Sequence, residues 1–221
     1  MIEIKEIRKK YGNRTVVDIS SLAFRRGETV VIVGPNGSGK STFLKILAGV
    51  IKAEVSDFSV SGSVLYLPQR SLPFSRSLVR NVTYGMKDRK NKKDRAQKTL
   101  DELGLLSLKA KNAKTLSGGE CQRLALARVI VNDCDFLLLD EPSSAADIEG
   151  NELIEKAIFA YRERTGCGVI MTTHSPSQAK KFGERIIMLN DGQIVEDSVA
   201  EEILKNPKNK WTEKFISQWS L

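Results

Sequence analysis

The chain has 221 residues, of which 41% are hydrophobic and 28% charged, a composition that is typical of a globular protein and argues against extensive disorder. No apolar run in the sequence approaches the roughly 18 residues that cross a bilayer, so a membrane-spanning chain is not expected. The formal net charge of +8 leaves nucleic acid or an anionic surface open as a partner.

Much of the excess positive charge lies in residues 87–95 and 109–114. Neither stretch has interleaved aromatic residues, so a solvated surface explains them better than a nucleic-acid footprint. The three cysteines are odd in number and lack C-x-x-C spacing, which indicates packing residues rather than disulfides or a zinc site. The first residues alternate like a strand and do not resemble a signal peptide, so we expect a cytosolic protein.

Short apolar strands alternate with helical stretches, which predicts an α/β fold with a mainly parallel central sheet. The predicted strands are Thr29–Val33, 63–67, 136–139, 169–173, Arg185–Asn190 and 193–197. The last two flank Asp191-Gly192, a hairpin signal. Residues 73–132 are rich in Lys, Leu and Ala without a strong strand pattern. We therefore expect one domain, with a core at about 1–70 and 133–221 and a helical subdomain at about 73–132.

The strand at Val30-Val31-Ile32-Val33 leads directly into a segment that matches the phosphate-loop pattern G-x-x-x-x-G-K-[ST] in full. That segment is Gly34-Pro35-Asn36-Gly37-Ser38-Gly39-Lys40-Ser41-Thr42. Bare glycines let several backbone amides converge on a phosphate. Lys40 can reach the β- and γ-phosphates, and the Ser41 hydroxyl is suited to coordinating Mg²⁺. Residues 42–49 predict a short buried helix, so a glycine turn without a ligand is the weaker interpretation.

A second glycine pair lies farther along, in Leu116-Ser117-Gly118-Gly119-Glu120. Ser117 and Glu120 have the S-x-x-E spacing of a capping box, and an apolar helical run follows them. Bare glycines at the positive end of a helix favour a second phosphate-binding helix terminus. An ordinary capped helix remains the alternative at this point.

A third feature is the buried strand that ends in Asp140-Glu141-Pro142. Such a strand delivers its carboxylates to the carboxyl edge of the sheet, where α/β proteins bind ligands. Asp140 can hold Mg²⁺ through water, and Glu141 can polarise the water that attacks a γ-phosphate. His174 is the one histidine of the chain; by itself it indicates a structural or surface residue.

Together these motifs closely resemble the nucleotide-binding subunit of ATP-binding cassette (ABC) proteins, and the resemblance covers essentially the whole chain. Residues 34–42 resemble Walker A, 136–141 resemble Walker B, and 116–120 resemble the LSGGE signature of that family. The resemblance implies the P-loop NTPase fold with a small antiparallel β arm and a helical insertion, and it implies ATP and Mg²⁺ as cofactors.

Further site residues follow from the resemblance alone. Gln69 resembles the Q-loop glutamine that contacts Mg²⁺ and the transporter-facing region. Asp147 resembles the D-loop aspartate, and His174 resembles the switch histidine that contacts the γ-phosphate. Tyr11 stands where the family commonly stacks an aromatic side chain on adenine, although a packing tyrosine is nearly as good an interpretation.

Two departures from the family pattern are visible. Gln69 follows Lys40 by only 29 positions, which predicts a trimmed antiparallel arm. Ala146 stands where leucine is more usual, which predicts softer contacts between subunits while Asp147 stays in place.

The resemblance implies that two subunits pair head to tail, with ATP between Walker A of one and the signature helix of the other. Hydrolysis would use Glu141 as base, with Lys40 and His174 stabilising the developing charge. The implied function is to power solute transport from the inner face of the membrane. The implied partners are a second copy or a paralogous ATPase subunit, separate transmembrane permeases and a solute-binding protein, with no nucleic acid.

A non-transport ABC ATPase is the alternative, serving iron–sulfur assembly, cell division, translation or DNA repair. The sequence has neither the long coiled coil of repair members nor the tandem cassettes of translation members. A nucleotide sensor without turnover is a third interpretation, against which Glu141 and His174 argue. Residues 74–85 and 203–219 look like those of bacterial importers, but they identify neither the cargo nor the direction of transport.

Overall fold

The structure is a computed structural model that describes residues 1–86, 88 and 90–219. Lys87 and Arg89, part of the charged stretch interpreted above as solvated, lie outside the described residues. The strands of the described chain are β1 Ile2–Tyr11, β2 Arg14–Phe24, β3 Thr29–Val33, β4 Val55–Val60, β5 Val64–Leu67, β6 Phe136–Asp140, β7 Gly168–Thr172, β8 Arg185–Asn190 and β9 Gln193–Val199.

Helices occupy most of the remainder. The α-helices are α1 Lys40–Leu47, α2 Leu78–Tyr84, α3 Lys92–Glu102, α4 Gly118–Ile130, α5 Ile148–Thr165, α6 Pro176–Phe182, α7 Ala200–Lys205 and α8 Lys210–Ser217. Two single-turn 3₁₀ helices, Leu106–Leu108 and Ala113–Thr115, lie between α3 and α4. The expected helical character of residues 73–132 is confirmed for the described part of that stretch.

The central sheet has six strands in the order β5-β6-β7-β3-β8-β9. The pairs β6–β7, β7–β3 and β3–β8 are parallel, and the predicted hairpin β8–β9 is antiparallel. Every residue of β3, β6 and β7 is buried, which explains why these strands read as continuous apolar runs. The expected α/β fold with a mainly parallel sheet is confirmed. The segments that follow these three adjacent strands emerge at one edge.

A second sheet is antiparallel, with the order β2-β1-β4. The strand expected at the start of the chain is β1, whereas β2 and β4 were not among the predicted strands. In β2 the buried residues Val17 and Ile19 are followed by Leu22 and Phe24. The alternation is interrupted at Ser21, whose φ is 54°, so the period-2 signal of a half-buried strand is broken. The inner residues of this sheet share a core with α1 and the central sheet.

The phosphate-loop helix begins two residues earlier than expected. Residues 42–49 were predicted, whereas α1 spans Lys40–Leu47, because the left-handed Gly39 (φ 105°) already serves as its N-cap. Gly49, with a φ of 68°, follows the helix as predicted. Among the described residues the cysteines form no disulfide; Cys134 and Cys167 are buried and Cys121 is half-buried, in agreement with their interpretation as packing residues.

The chain divides into two compact units. The first unit comprises Met1–Tyr66, Asp135–Glu141 and Cys167–Leu221 and contains both sheets apart from Leu67. The second unit comprises Leu67–Cys134 and Pro142–Gly166 and contains α2 to α5.

Candidate functional site

The phosphate loop lies in the first unit, between β3 and α1. Its glycines are required by close backbone approaches: a Cβ on Gly34 would overlap the carbonyl oxygen of Leu189, and one on Gly39 would overlap that of Val16. Gly37 and Gly39 also have φ values of 80° and 105°, which favour glycine. The loop is therefore held against β2 and β8 in a form that only glycine allows at positions 34 and 39.

Lys40 turns its ammonium group back onto the loop. Its Nζ donates to the carbonyl oxygens of Gly34 at 2.8 Å and Pro35 at 2.9 Å, and the residue is only 5% exposed. Burial lowers the pKa of Lys40, an effect that the nearby carboxylates of Glu141 and Asp140 partly oppose. A buried cation at a loop of this shape is suited to an anionic ligand.

One polar side chain of the loop lacks a hydrogen-bonding partner among the described residues. Within the described part of the chain, no side chain caps the first turn of α1. The hydroxyl oxygen of Ser38 is buried and has no hydrogen-bonding partner in the part of the chain that the structure describes. Buried polar groups are nearly always satisfied, so a phosphate oxygen is a fitting partner for this hydroxyl.

Asp140, at the end of β6, is almost fully buried and is surrounded by hydroxyl groups. Its Oδ1 accepts hydrogen bonds from Ser41 Oγ and Thr172 Oγ1, both at 2.8 Å, and its Oδ2 accepts one from the Tyr66 hydroxyl at 3.3 Å. Burial, followed by the charge of Asp140, raises the pKa of Tyr66, so this hydroxyl stays a donor. Ser41 and Asp140 together offer hard oxygen atoms of the kind that Mg²⁺ prefers.

Glu141 and His174 form a close pair. The Glu141 Oε2 atom lies 2.7 Å from His174 Nε2, with the Glu141 side chain 7% exposed and the His174 side chain 45% exposed. Glu141 has a φ of 50°, a left-handed conformation that costs a residue with a Cβ about 1–2 kcal/mol. Its backbone N–H donates to the carbonyl oxygen of Thr172 at 3.2 Å and to its Oγ1 at 3.1 Å. The strained turn is thus held by hydrogen bonds.

The second unit contains the glycine pair. Ser117 is the N-cap of α4, and the predicted capping box is formed: Glu120 N–H donates to Ser117 Oγ at 3.3 Å, and Ser117 N–H donates to Glu120 Oε2 at 2.7 Å. The hydrogen bond from the Ser117 amide is the largest cause of the lowered pKa of Glu120. Outside the backbone of its own helix and its chain neighbours, the nearest described atom to a Cβ on Gly118 would be the Ala145 Cβ at 4.0 Å, and a Cβ on Gly119 would meet the Ala145 carbonyl oxygen at 3.4 Å.

Asp147 also lies in the second unit, close to the start of α4. It is the N-cap of α5, where its Oδ1 accepts from the Gly150 amide at 2.8 Å. The preceding segment packs on α4 because Ala145 N–H donates to Gln122 Oε1 at 2.8 Å. The structure therefore brings together Asp147 and the residues 117–119, and it gives Asp147 a structural task within its own chain.

Gln69 and Tyr11 are the two remaining predicted site residues. Gln69 is exposed just beyond β5, in the second unit. Tyr11, in the first unit, ends β1 with 55% exposure, and the Lys9 ammonium lies 5.1 Å from the centre of its ring. An exposed ring of this kind is open to stacking with a ligand.

Three side chains of the first unit were missed by the sequence analysis. Tyr66 and Thr172 bond to Asp140, and a guanidinium nitrogen of the exposed Arg14 would lie 3.9 Å from a Cβ placed on Gly37. The signals available were weak: Thr172 is a hydroxyl residue at the end of an otherwise apolar strand, and Arg14 is one cation among many.

Comparison with known proteins identifies the family of the chain. The family model described as ABC transporter matches residues 17–144. A phosphate import ATP-binding protein, PstB 2 of Natronomonas pharaonis, is 34% identical in an alignment that covers 94% of this chain and 83% of the relative. The tungstate uptake system ATP-binding protein TupC of Peptoclostridium acidaminophilum is 37% identical, covering 88% of this chain and 97% of the relative.

Solved structures give the same result. The ATP-binding cassette MJ0796, in a dimeric post-hydrolysis state bound to ADP and Pi, superposes with a TM-score of 0.80 at 27% identity, covering 90% of this chain and 99% of that one. The P-loop NTPase fold inferred from the sequence is thereby confirmed. This chain belongs to the ABC transporter family, whose ATP-binding subunits hydrolyse ATP to power transport.

Proposed function

We propose that this chain is the ATP-hydrolysing subunit of an importer whose membrane-spanning subunits are separate polypeptides. The observation that carries the proposal is the convergence of three segments of the first unit. The phosphate loop, the Asp140-Glu141 pair and His174 follow the adjacent strands β3, β6 and β7, with Glu141 and His174 2.7 Å apart. Ligands of open parallel sheets bind at this edge.

The chemistry assigned to these residues follows from their surroundings. Lys40 and the loop amides would bind the phosphates, and Ser41 and Asp140, which are hydrogen-bonded to each other, would hold Mg²⁺, which neutralises charge on the phosphate oxygens when it is bound. Glu141 accepts a proton from the attacking water, because it directly follows the fully buried strand β6 and lies beside the phosphate loop. His174 orients that carboxylate and faces the γ-phosphate, and its half-exposed ring is accessible to a ligand.

The two units have different proposed tasks. The first unit binds and hydrolyses ATP, and the second unit, which contains α4, supplies the glycine pair. Neither Gly118 nor Gly119 has a positive φ, and a Cβ on Gly118 has room. The fold of this chain therefore does not require glycine at either position. We assign Ser117, Gly118 and Gly119, with Asp147, to nucleotide held by the phosphate loop of a second copy.

An exposed apolar patch of the second unit is the proposed contact with the transmembrane subunits. It consists of Leu72, Phe74 and Tyr84, of which Leu72 is 87% exposed, and the rings of Phe74 and Tyr84 are 4.8 Å apart. The Arg128 guanidinium lies 4.5 Å from the Phe74 ring and donates to the Leu72 carbonyl oxygen, so the patch is ordered by its own contacts. Exposed clusters of this kind mark interaction sites.

Among the helices of the described residues, not one combines the length and the apolar character needed to cross a membrane. Peripheral attachment to the inner face of the membrane through the Leu72–Phe74–Tyr84 patch is the proposed location. Tyr11 stacks on adenine in this proposal, and a solute-binding protein delivers the cargo to the permease. The relatives named above serve phosphate and tungstate uptake, and the ATPase residues themselves do not distinguish cargoes.

The test is ATP hydrolysis by the purified chain, with and without membranes that contain its permease. We expect Mg²⁺-dependent phosphate release that Glu141→Gln lowers by about 100-fold or more, as for the loss of a general base. Glu163→Gln, which removes an exposed carboxylate of α5, is the matched control and should keep full activity. Normal turnover in Glu141→Gln would exclude Glu141 as the base.

A further inference from the structure

Thr172, the last residue of β7, is fully buried, and its hydroxyl contacts both acids of the site. Its Oγ1 donates to Asp140 Oδ1 at 2.8 Å and accepts from the backbone N–H of Glu141 at 3.1 Å. The donor and an acceptor lone pair of one hydroxyl are thus both used within the site. One side chain links the proposed metal-binding carboxylate to the backbone of the proposed base.

The position of this hydroxyl is rigid. Thr172 lies opposite Asp140 in the parallel pairing of β6 with β7, so the strands themselves set the distance between the two residues. A β-branched side chain in a buried strand has little χ1 freedom, so its Oγ1 cannot turn away easily. Ser41 and Tyr66 also donate to Asp140, but Ser41 belongs to the phosphate loop and Tyr66 is the more distant at 3.3 Å.

Packing alone does not call for a hydroxyl at this position. The three preceding residues of β7, Val169, Ile170 and Met171, are apolar and buried, and valine would fill the same volume as threonine. Burying a hydroxyl group costs free energy unless the group is hydrogen-bonded. The Thr172 hydroxyl makes its two hydrogen bonds to Asp140 and to the backbone of Glu141. Its second bond also helps to hold Glu141 in the left-handed conformation in which its carboxylate meets His174.

We propose that Thr172 is a positioning residue for ATP hydrolysis, whose hydroxyl orients the Asp140 carboxylate and holds the strained backbone of Glu141. The inference rests on the proposed function, because it assigns Thr172 a task toward the residues that function uses. Thr172 touches neither nucleotide nor metal in this proposal. It acts through Asp140 and Glu141.

The experiment compares Thr172→Val, which removes only the hydroxyl, with Thr172→Ser, which keeps it. For Thr172→Val we expect kcat to fall about 10-fold or more, as for other residues that orient metal ligands, while KM for ATP changes by less than about 3-fold. Mn²⁺ binding in the presence of the non-hydrolysable analogue AMP-PNP, measured by electron paramagnetic resonance, should weaken by about 10-fold. Thr172→Ser should restore both quantities.

Thr29→Val is the control for losing a hydroxyl residue from a buried strand, since Thr29 begins β3, at the opposite end from the acids. It should leave kcat and Mn²⁺ binding unchanged. If Thr172→Val folds poorly, Thr172→Ala set against Thr172→Ser tests the same hydroxyl. Wild-type kcat and Mn²⁺ affinity in Thr172→Val, or no rescue by serine, would overturn the inference.

The inference and the proposed function can fail separately. A wild-type protein without ATPase activity would contradict the proposed function, whereas Mn²⁺ binding by the valine and serine variants would still decide whether Thr172 orients Asp140. If the wild type is active, Glu141→Gln is inactive and Thr172→Val is unaffected, the role of Thr172 is rejected while the proposed function stands.

Discussion

Lys40 shows how a single residue combines a structural cost with a binding task. Its ammonium group is nearly inaccessible to water, and burial lowers its pKa. The two carbonyl oxygens that it contacts, those of Gly34 and Pro35, compensate only in part for lost hydration. A polyphosphate would place full negative charges beside the ammonium group. Nucleotide binding should therefore recover the free energy that is lost when folding buries this group.

Replacing Lys40 with alanine should therefore weaken nucleotide binding. We expect a loss of about 1.5–3 kcal/mol, which is roughly 10- to 150-fold in Kd, because charge-assisted hydrogen bonds to phosphate are removed. Isothermal titration with ATP and Mg²⁺ measures the change. Lys45→Ala, in the last turn of the same helix, is the control and should bind like the wild type. Equal affinities of the two variants would contradict the role of Lys40.

At the scale of elements, the phosphate loop depends on close packing against its neighbours. Gly34 approaches the backbone of β8 and Gly39 approaches that of β2, so strands far apart in sequence shape one nine-residue segment. The sequence predicted β3 and β8 to the residue because both read as apolar runs bounded by turn residues. It did not predict β2, whose alternation breaks at Ser21.

Gly34→Ala should disturb this element. The new Cβ would overlap the Leu189 carbonyl oxygen and crowd Ser38 Oγ at 2.9 Å, so the loop must move away from β8. We expect the free energy of unfolding to fall by about 1–3 kcal/mol, as in other overpacked sites, with loss of ATP binding. Urea denaturation measures it. Gly85→Ala, where a Cβ meets no described atom within 4 Å, should stay close to wild-type stability. An unchanged denaturation midpoint for Gly34→Ala would refute this account of the loop.

At the scale of the whole molecule, the proposed nucleotide contacts are divided between units. The phosphate loop, Asp140, Glu141 and His174 belong to the first unit, whereas Gln69, Ser117 and Asp147 belong to the second. If Ser117 and its glycines meet nucleotide on a second copy, ATP joins two chains and its hydrolysis releases them. Two copies of the chain would then pair and separate once in each cycle of ATP binding and hydrolysis. Such a motion can drive a transporter.

The substitution Gly118→Ala should weaken dimer formation without lowering the stability of the monomer. In a Glu141→Gln background, Mg²⁺ and ATP should produce a dimer in size-exclusion chromatography with light scattering. Adding Gly118→Ala should lower the dimer affinity by about 10-fold or more, because the new methyl group occupies space meant for a phosphate in a close-packed interface. The melting temperature of the monomer should not fall, since a Cβ there has room and alanine favours helices. A fully dimeric double variant would argue against the assigned surface, with Gly85→Ala again as the control.

The sequence by itself determined the parts of the site that are contiguous. The glycine-rich segment between strand β3 and helix α1 and the capped start of α4 at Ser117–Glu120 are each continuous in the sequence, so their residue patterns could be recognised without the structure. Only the tertiary structure decided the surroundings of Asp140. Tyr66 lies 74 positions before it and Thr172 lies 32 positions after it, and the pairing of parallel strands is what brings those hydroxyl groups to one carboxylate.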